Sequence, residues 1–490
     1  MLFNSHQFIF VFMPIVLAGY WGLGRVLGPR WGFRWLLAAS LFFYWQLSGS
    51  YILVLLFSIL MNYAFAGALF HAAPETRRRD LIAAASIAAN LLLLGYFKYL
   101  GFILDNLDLL LGTSAHVAPM LLPIGLSFFT FQQIAYLVDV NAEQARPAAL
   151  FDYALFVSFF GHVTAGPIVH HSEVLPLYAG EERALPFQKL FLPALVIFSI
   201  GLFKKVVIAD NLAAVADRVF LLADGRQAIS VADAWFGAVT YTLQLYFDFS
   251  GYSDMAIGVG LLFGITLPIN FDSPYKARSI IEFWQRWHIS LTRFFTTYVY
   301  LPLAMLLYRK TGSMELGAAR RFTARVAVPT LVTFLLAGFW HGAGWNYGLF
   351  GVLHGGALTV NQGWRAAGFA IPAPLGWLLT AIVILIGMTL FRASDTTAAL
   401  IIIGGLVGIG TTVAPAFDVG LLALVLALMA VVLFAPNSQQ IGEYLDAAVE
   451  RGAGSALRHP EALRLVFTSV VFWVAVMSIV QQSRFLYYQY

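Results

Sequence analysis

The chain has 490 residues, 60% of them hydrophobic and only 11% charged, against about 25% charged in soluble domains. That balance excludes an ordinary soluble globular protein. Runs of about 20 apolar residues recur from end to end, the pattern of an all-α polytopic membrane protein. The net charge of +4 fits Lys and Arg gathered in cytoplasmic loops. No basic run with interleaved aromatics points to nucleic acid. The absence of cysteine excludes disulfides, thiolate metal sites and a cysteinyl-acyl intermediate.

In chain order, a first span is expected over about 7–27, ending near Arg25 and Arg30. It lacks a basic leader and a small-residue cleavage site, so it reads as an uncleaved span. Spans of about 33–48, 51–70 and 81–104 follow, with the basic loop Arg77–Arg79 between the last two. Arg25, Arg30, Arg34 and Arg77–Arg79 place the first and third loops in the cytoplasm and the N-terminus outside. The loop 105–118 carries Asp105 and Asp108 and no Lys or Arg, as an external loop should.

The next two spans, about 120–138 and 150–168, are interrupted by Pro119, Pro123, Gly125, Gly161, Gly166 and Pro167. Such breaks are tolerated at membrane depth where the backbone is buried in protein or lines a wet cavity. A span of about 190–208 holds Lys204 and Lys205 near its end. Another starts near Ala234 and runs into a segment holding Gln244, Asp248 and Asp254. Ser279–Tyr298 is expected as one amphipathic helix, with Glu282, Arg286 and Arg293 on one face. His288 falls on the opposite stripe, four residues after Trp284, and is expected to point into the bundle.

The stretch Phe334–Gly355 is almost wholly apolar or small, yet carries His341 and His354. Its glycines are expected to leave bare backbone for a substrate to approach. A span to about 362 and three more, about 374–391, 397–414 and 417–435, come next. A hydrophilic loop, 436–464, and a last span of about 465–482 end the chain. The total is about 11–14 apolar segments, some re-entrant, in one multi-span domain covering 1–490.

An imidazole in hydrocarbon needs a partner, a wet cavity or a catalytic task. His341 reads either as a general base, able to take a proton from an attacking hydroxyl near neutral pH, or as a buried histidine bonded to a backbone carbonyl. His288 reads either as a group stabilising an acyl oxyanion or as an interfacial histidine among tryptophans. Asp248 and Asp254 read as acid–base groups or as partners of Lys or Arg, with pairing the simpler reading. His162, His170, His171 and His354 are expected to cap or hydrogen-bond. Neither H-E-x-x-H nor H-x-x-E-H occurs, so no metal is expected. G-x-S-x-G is also absent, and Gly258-x-Gly260 lacks the spacing and context of a dinucleotide fingerprint. Glu282 and Arg286 are spaced for an i,i+4 contact.

Trp340-His341-Gly342-Ala343-Gly344-Trp345-Asn346 lies downstream of Glu282-Phe283-Trp284-Gln285-Arg286-Trp287-His288. On these motifs the sequence resembles the membrane-bound O-acyltransferase (MBOAT) family. It looks most like the bacterial branch containing the membrane subunit of alginate O-acetylation. Ala165-Gly166-Pro167-Ile168-Val169, Gly201–Asp210, Tyr246–Gly258, Asn270–Lys276 and Ala435–Gln440 match as well, most densely within 120–365, with further spans over 366–490. Gly161 and Gly344 depart from the family pattern, where proline and serine are expected.

The resemblance implies an MBOAT-type helical bundle pierced by a central tunnel, with His341 at its waist and His288 as the second motif histidine. Trp340, Trp287, Trp284, Asp248, Asp254 and Asn346 become candidates for lining that tunnel. It also implies an inner-membrane O-acyltransferase that takes an acyl group, expected to be acetyl, from acetyl-CoA or an acyl-carrier thioester in the cytoplasm. The group would serve O-acetylation of an exopolysaccharide such as alginate, with a periplasmic acyltransferase as partner and no bound cofactor. The alternatives are a polytopic transporter or channel, or a non-catalytic scaffold of a glycan export complex.

Overall fold

The computed structural model describes residues 1–113, 121–180, 187–312, 317–409, 419–443, 460–479, 483, 485 and 486. Pro119 and parts of the expected segments 105–118, 397–414, 417–435, 436–464 and 465–482 lie outside them. The described residues are almost wholly helical or in turns, with isolated bridges such as Phe271 to Trp287 in place of any sheet. Seven helical stretches among them are long and apolar enough to cross a membrane. Thr396–Leu406, Gly420–Phe434 and Arg464–Met477 are shorter apolar helices.

The chain forms two compact units, one of 1–203, 252–269 and 442–489 and the other of 204–251 and 270–441. In the first unit, α1 (Met13–Leu27) and α2 (Pro29–Ser48) form a hairpin turning at Gly28, where φ is +102°. Gly32 permits the approach, since a Cβ there would sit 2.8 Å from the Tyr20 carbonyl oxygen. The run Pro29–His71 is 43 residues long, about 65 Å as a straight helix and twice what a bilayer core needs. It divides at Gly49–Tyr51 into α2 and α3 (Ile52–His71). Next come α4 (Arg77–Leu94), α5 (Leu100–Leu111) and α6 (Leu126–Asn141). Polar bonds within apolar walls tie these together: Asn62 to Asn90, and Gln133 to both Ser58 and Tyr153.

Arg79 is expected in an open basic loop, but is buried. Its guanidinium donates to the carbonyls of Ala72, Val140 and Asn141, so it closes the C-terminal end of α6, where a cation suits the helix dipole. After α7 (Leu150–Ser158) the chain leaves helical geometry until α8 (His171–Ala179). This interrupted stretch is buried in protein, and the amides of Phe159, His162, Val163 and Gly166 find local carbonyls while that of Phe160 donates to the Ser40 hydroxyl, as irregular backbone inside an apolar protein requires. Gly125 is held at φ +78° with its Cα hydrogens against the Val163 carbonyl, where a Cβ would come to 2.1 Å. In the same unit, α9 (Phe187–Phe203) packs against the C-terminal α21 (Pro460–Met477).

The second unit holds α10 (Asp210–Asp224), the first part of α11 (Val231–Leu262), α12 (Ile280–Arg286), α13 (Ile289–Phe295), α14 (Leu301–Thr311) and α15 (Ala318–Phe322). It continues with α16 (Val328–His341), α17 (Trp345–Ala366), α18 (Ala373–Arg392), α19 (Thr396–Leu406) and α20 (Val419–Phe434). Its tightest packing is between α16 and α17. A Cβ on Gly338 would lie 2.3 Å from the Tyr347 carbonyl, and one on Gly351 would lie 2.4 Å from that of Phe334. Small residues at a crossing let two backbones meet, the usual way helices associate without a hydrophobic driving force.

A histidine-bearing candidate site in the second unit

The expected single helix Ser279–Tyr298 is two helices, α12 and α13, broken at Trp287 and His288. Trp287 is extended and His288 is left-handed, with φ +45° and ψ +53°. Side-chain positions on one helical wheel therefore do not carry across the break. A distant strand-like segment causes it. The Ile289 amide donates to the Asn270 carbonyl and the Asp272 amide to the Arg286 carbonyl. These bonds across the Phe271–Trp287 bridge replace part of the helical ladder. A left-handed non-glycine residue is strained and persists only where its surroundings over-determine it. Here Asn270 does so.

Asn270 also fixes the imidazole's tautomer. Its Oδ1 accepts from the Ser290 amide at 3.2 Å and the Ser290 hydroxyl at 2.9 Å. The amide can only donate, so this side-chain atom is the oxygen. His288 Nδ1 lies 3.1 Å from the same oxygen and must therefore carry the proton. In the neutral ring Nε2 is then an acceptor. His288 is fully buried, edge-on to Phe249 at 4.8 Å between ring centroids.

His341 is the last residue of α16 and is buried, with 5% of its surface exposed. Its ring contacts Trp340, Phe350 and Phe391 at centroid distances of 4.9, 5.7 and 5.0 Å. Trp340 in turn reaches His288 at 6.2 Å. One tryptophan thus touches both motif histidines, which the sequence separates by 53 positions. The glycines around His341 do not offer bare backbone, contrary to the expectation from sequence. The face of Gly342 is covered by the Tyr347 ring, 2.1 Å from where a Cβ would be, and that of Gly344 by the Asn346 side chain at 2.5 Å. They are small so that the α16–α17 turn can close.

A third imidazole joins this cluster. His354, expected to be hydrogen-bonded, is fully buried, and neither ring nitrogen has a hydrogen-bond partner among the described residues. Its ring meets Phe350 at 4.4 Å and Trp284 at 5.1 Å. Trp284 Nε1 is likewise buried without a hydrogen-bond partner. Gly387 of α18 makes the room, since a Cβ there would strike His354 Nε2 at 2.3 Å. Buried polar atoms are nearly always satisfied, and exceptions need an explanation such as a ligand. Sequence offered one signal for His354, its place as an ionisable group in the same almost wholly apolar stretch as His341.

The other candidates make the following contacts. Trp287 is stacked on Phe283 at 5.6 Å and meets Phe271 edge-on at 5.0 Å. The Asn346 amide donates to the carbonyls of Leu390 and Ala393 at 3.2 and 2.9 Å, binding α17 to the end of α18. Asp248 is buried in an ion pair with Lys205, which also meets Asp210 at 2.9 Å. Asp254 is buried and belongs to the first unit. Glu282 and Arg286 make the i,i+4 contact at 3.0 Å, and Asp272 lies 3.4 Å from the same guanidinium. In the first unit His162 lies 3.3 Å from Gln132, and His170 and His171 both reach Asp139.

A model of the membrane-bound O-acyltransferase family matches residues 3–394. The chain is 41% identical over 439 residues to the peptidoglycan O-acetyltransferase of Helicobacter pylori, covering 84% of this chain and 80% of that one. It is 37% identical over 409 residues to the probable alginate O-acetylase AlgI of Pseudomonas aeruginosa, 81% and 73% of the two chains. A more distant relative is the teichoic acid D-alanyltransferase of Bacillus subtilis, 27% identical over 248 residues, 48% and 58% of the two chains.

Proposed function

The chain belongs to the membrane-bound O-acyltransferase family, and from that premise we propose that it acetylates hydroxyls of an extracytoplasmic glycan polymer, drawing on a cytoplasmic thioester. The chain is a multi-pass membrane O-acyltransferase. The relatives named for peptidoglycan and alginate acetylation supply the substrate class. The observation that carries the chemical assignment is the meeting of His288, Trp340 and His341 in one buried cluster.

In the proposed reaction a hydroxyl oxygen attacks the thioester carbonyl. A C–O bond forms and the C–S bond breaks. His341 takes the hydroxyl proton and returns it to the departing thiolate, so the products are an ester and a free thiol. With its proton held on Nδ1 by Asn270, His288 is suited to accept a hydrogen bond at Nε2 rather than to donate one to an oxyanion, the role first expected of it. The Trp284 indole N–H and one His354 nitrogen are the candidate donors, because both are buried and have no hydrogen-bond partner among the described residues. The basic loops near the N-terminus support an N-terminus outside and an acyl donor inside.

His341→Ala is expected to lower thiol release from acetyl-CoA or an acyl-carrier thioester by at least about 100-fold, the usual share of a general base. Its yield and thermal melting in detergent should stay near those of the parent. Full activity in that variant removes His341 from the chemistry. A parent chain that releases no thiol with any acceptor favours the scaffold instead.

A further inference from the structure

We propose that Asp139, His170 and His171 of the first unit form a binding site for a transition-metal dication of the Zn²⁺ type, made of none of the residues assigned to acyl transfer. The residues come from separate elements of the first unit, Asp139 near the end of α6 and the two histidines at the start of α8. A single carboxylate oxygen, Asp139 Oδ2, lies 2.9 Å from His170 Nε2 and 2.8 Å from His171 Nε2. One ligand atom from each residue lies within 4.8 Å of the others. The Asp139 and His171 side chains are each 8% exposed and His170 is 29% exposed, which leaves an approach from one side.

Adjacent helical side chains diverge by about 100°, so two neighbouring histidines rarely converge. Here His170 is the extended residue before α8 and His171 its first helical residue. That change of backbone brings the two rings to 4.2 Å. Imidazole and carboxylate ligands suit zinc and its neighbours better than magnesium or calcium, which prefer oxygen alone. Metal–ligand bonds of about 2.0–2.1 Å in a tetrahedron set ligand atoms about 3.3 Å apart. The Asp139 contacts would therefore open by about 0.5 Å, within side-chain adjustment.

His170 Nδ1 accepts from the Ser172 amide at 3.4 Å and lies 2.7 Å from the Ser172 hydroxyl; a metal on Nε2 would require Nδ1 to take up the proton and turn it to that hydroxyl oxygen. The Glu173 carboxylate sits at the same helix start, accepting from the His170 amide at 2.8 Å. The positive end of α8 disfavours a cation. The negative end of α6, together with Asp139 and Glu173, offsets it. No local sequence motif encodes the site, because its carboxylate lies 31 positions before the first histidine.

The test uses the full chain in detergent, stripped with chelator and titrated with Zn²⁺, then with Co²⁺ as a spectroscopic stand-in. About one ion per chain is expected, with higher melting that chelator reverses and visible Co²⁺ bands of nitrogen–oxygen ligation. Asp139→Asn and His171→Ala should each weaken binding about tenfold or more, while His6→Ala leaves it unchanged. His170→Ala, at the most exposed ligand, serves if the buried variants do not fold. A stripped chain that binds no Zn²⁺ overturns the proposal, as does a His170→Ala variant that binds it like the parent. Either result leaves the three residues a hydrogen-bonded clamp, with the acyl-transfer reading untouched.

Discussion

A buried imidazole is defined chemically by what holds its other nitrogen. For His288 that is Asn270 Oδ1, an atom whose identity follows from the Ser290 amide pointing at it. Asn270→Ala removes the acceptor for His288 Nδ1, the Ser290 amide and the Ser290 hydroxyl together. The expected loss is roughly 1–3 kcal/mol of stability, with turnover falling by a larger factor than membrane yield. Asn270→Asp keeps the oxygen and should recover most of the turnover, measured as thiol release at matched protein amounts. Equal loss in both variants would show that the amide group, not the tautomer, matters. Sequence placed both motif histidines by type and setting, but the Asn270 contact joins positions 18 apart through a bridge that no periodicity announces.

At the level of elements, two kinds of break were visible as glycine and proline. Their uses differ. Between α7 and α8 the chain passes through the protein without a helix, whereas Gly338 and Gly351 allow α16 and α17 to touch. Gly351→Val would drive a side chain into the Phe334 carbonyl, so the helices must separate. We expect a loss of about 1–3 kcal/mol or more, seen as a lower melting temperature in detergent. Gly356→Val, on the same helix with nothing within 4 Å of a Cβ, is the control. If both melt like the parent, the α16–α17 contact is not what holds these helices.

Outside the spans, Asp395 caps α19 by accepting from the Ala398 amide at 2.9 Å and pairs with Arg226. The Arg226 hydrogen bond, then the Ala398 amide, hold its carboxyl below the usual carboxylate value. A depressed value in the folded state means the stabilisation is present above the unfolded value of about 3.9. It is lost as pH falls through the lower, folded value. Asp395→Ala should cost about 0.5–2 kcal/mol at neutral pH, mainly as a lost cap. The difference from the parent should shrink below about pH 4, read from melting curves across pH.

For the molecule as a whole, a charge deep in an apolar protein is tolerated only with a partner. Lys205 and Asp248 are each 2% exposed and meet each other, with Asp210 at the rim. Asp248→Leu leaves the Lys205 ammonium buried without its deeper carboxylate, a change expected to cost about 3–5 kcal/mol. The double change Lys205→Met with Asp248→Leu removes both charges and should recover most of that loss, measured by melting and by yield from membranes. Failure of the double variant to recover would assign the pair a role beyond neutralising each other.

Composition alone decided the class, because some 60% apolar residues with 11% charge can be covered only by lipid. The motifs around His288 and His341 identified the family, since their residues lie close together in the chain. Tertiary structure decided what those residues touch. It split one expected amphipathic helix at His288, filled the glycine faces beside His341, brought His354 into the cluster and set Asp139 against two histidines. Each of these depends on contacts between distant segments. A linear pattern reports only a residue's near neighbours and the face it shares with them.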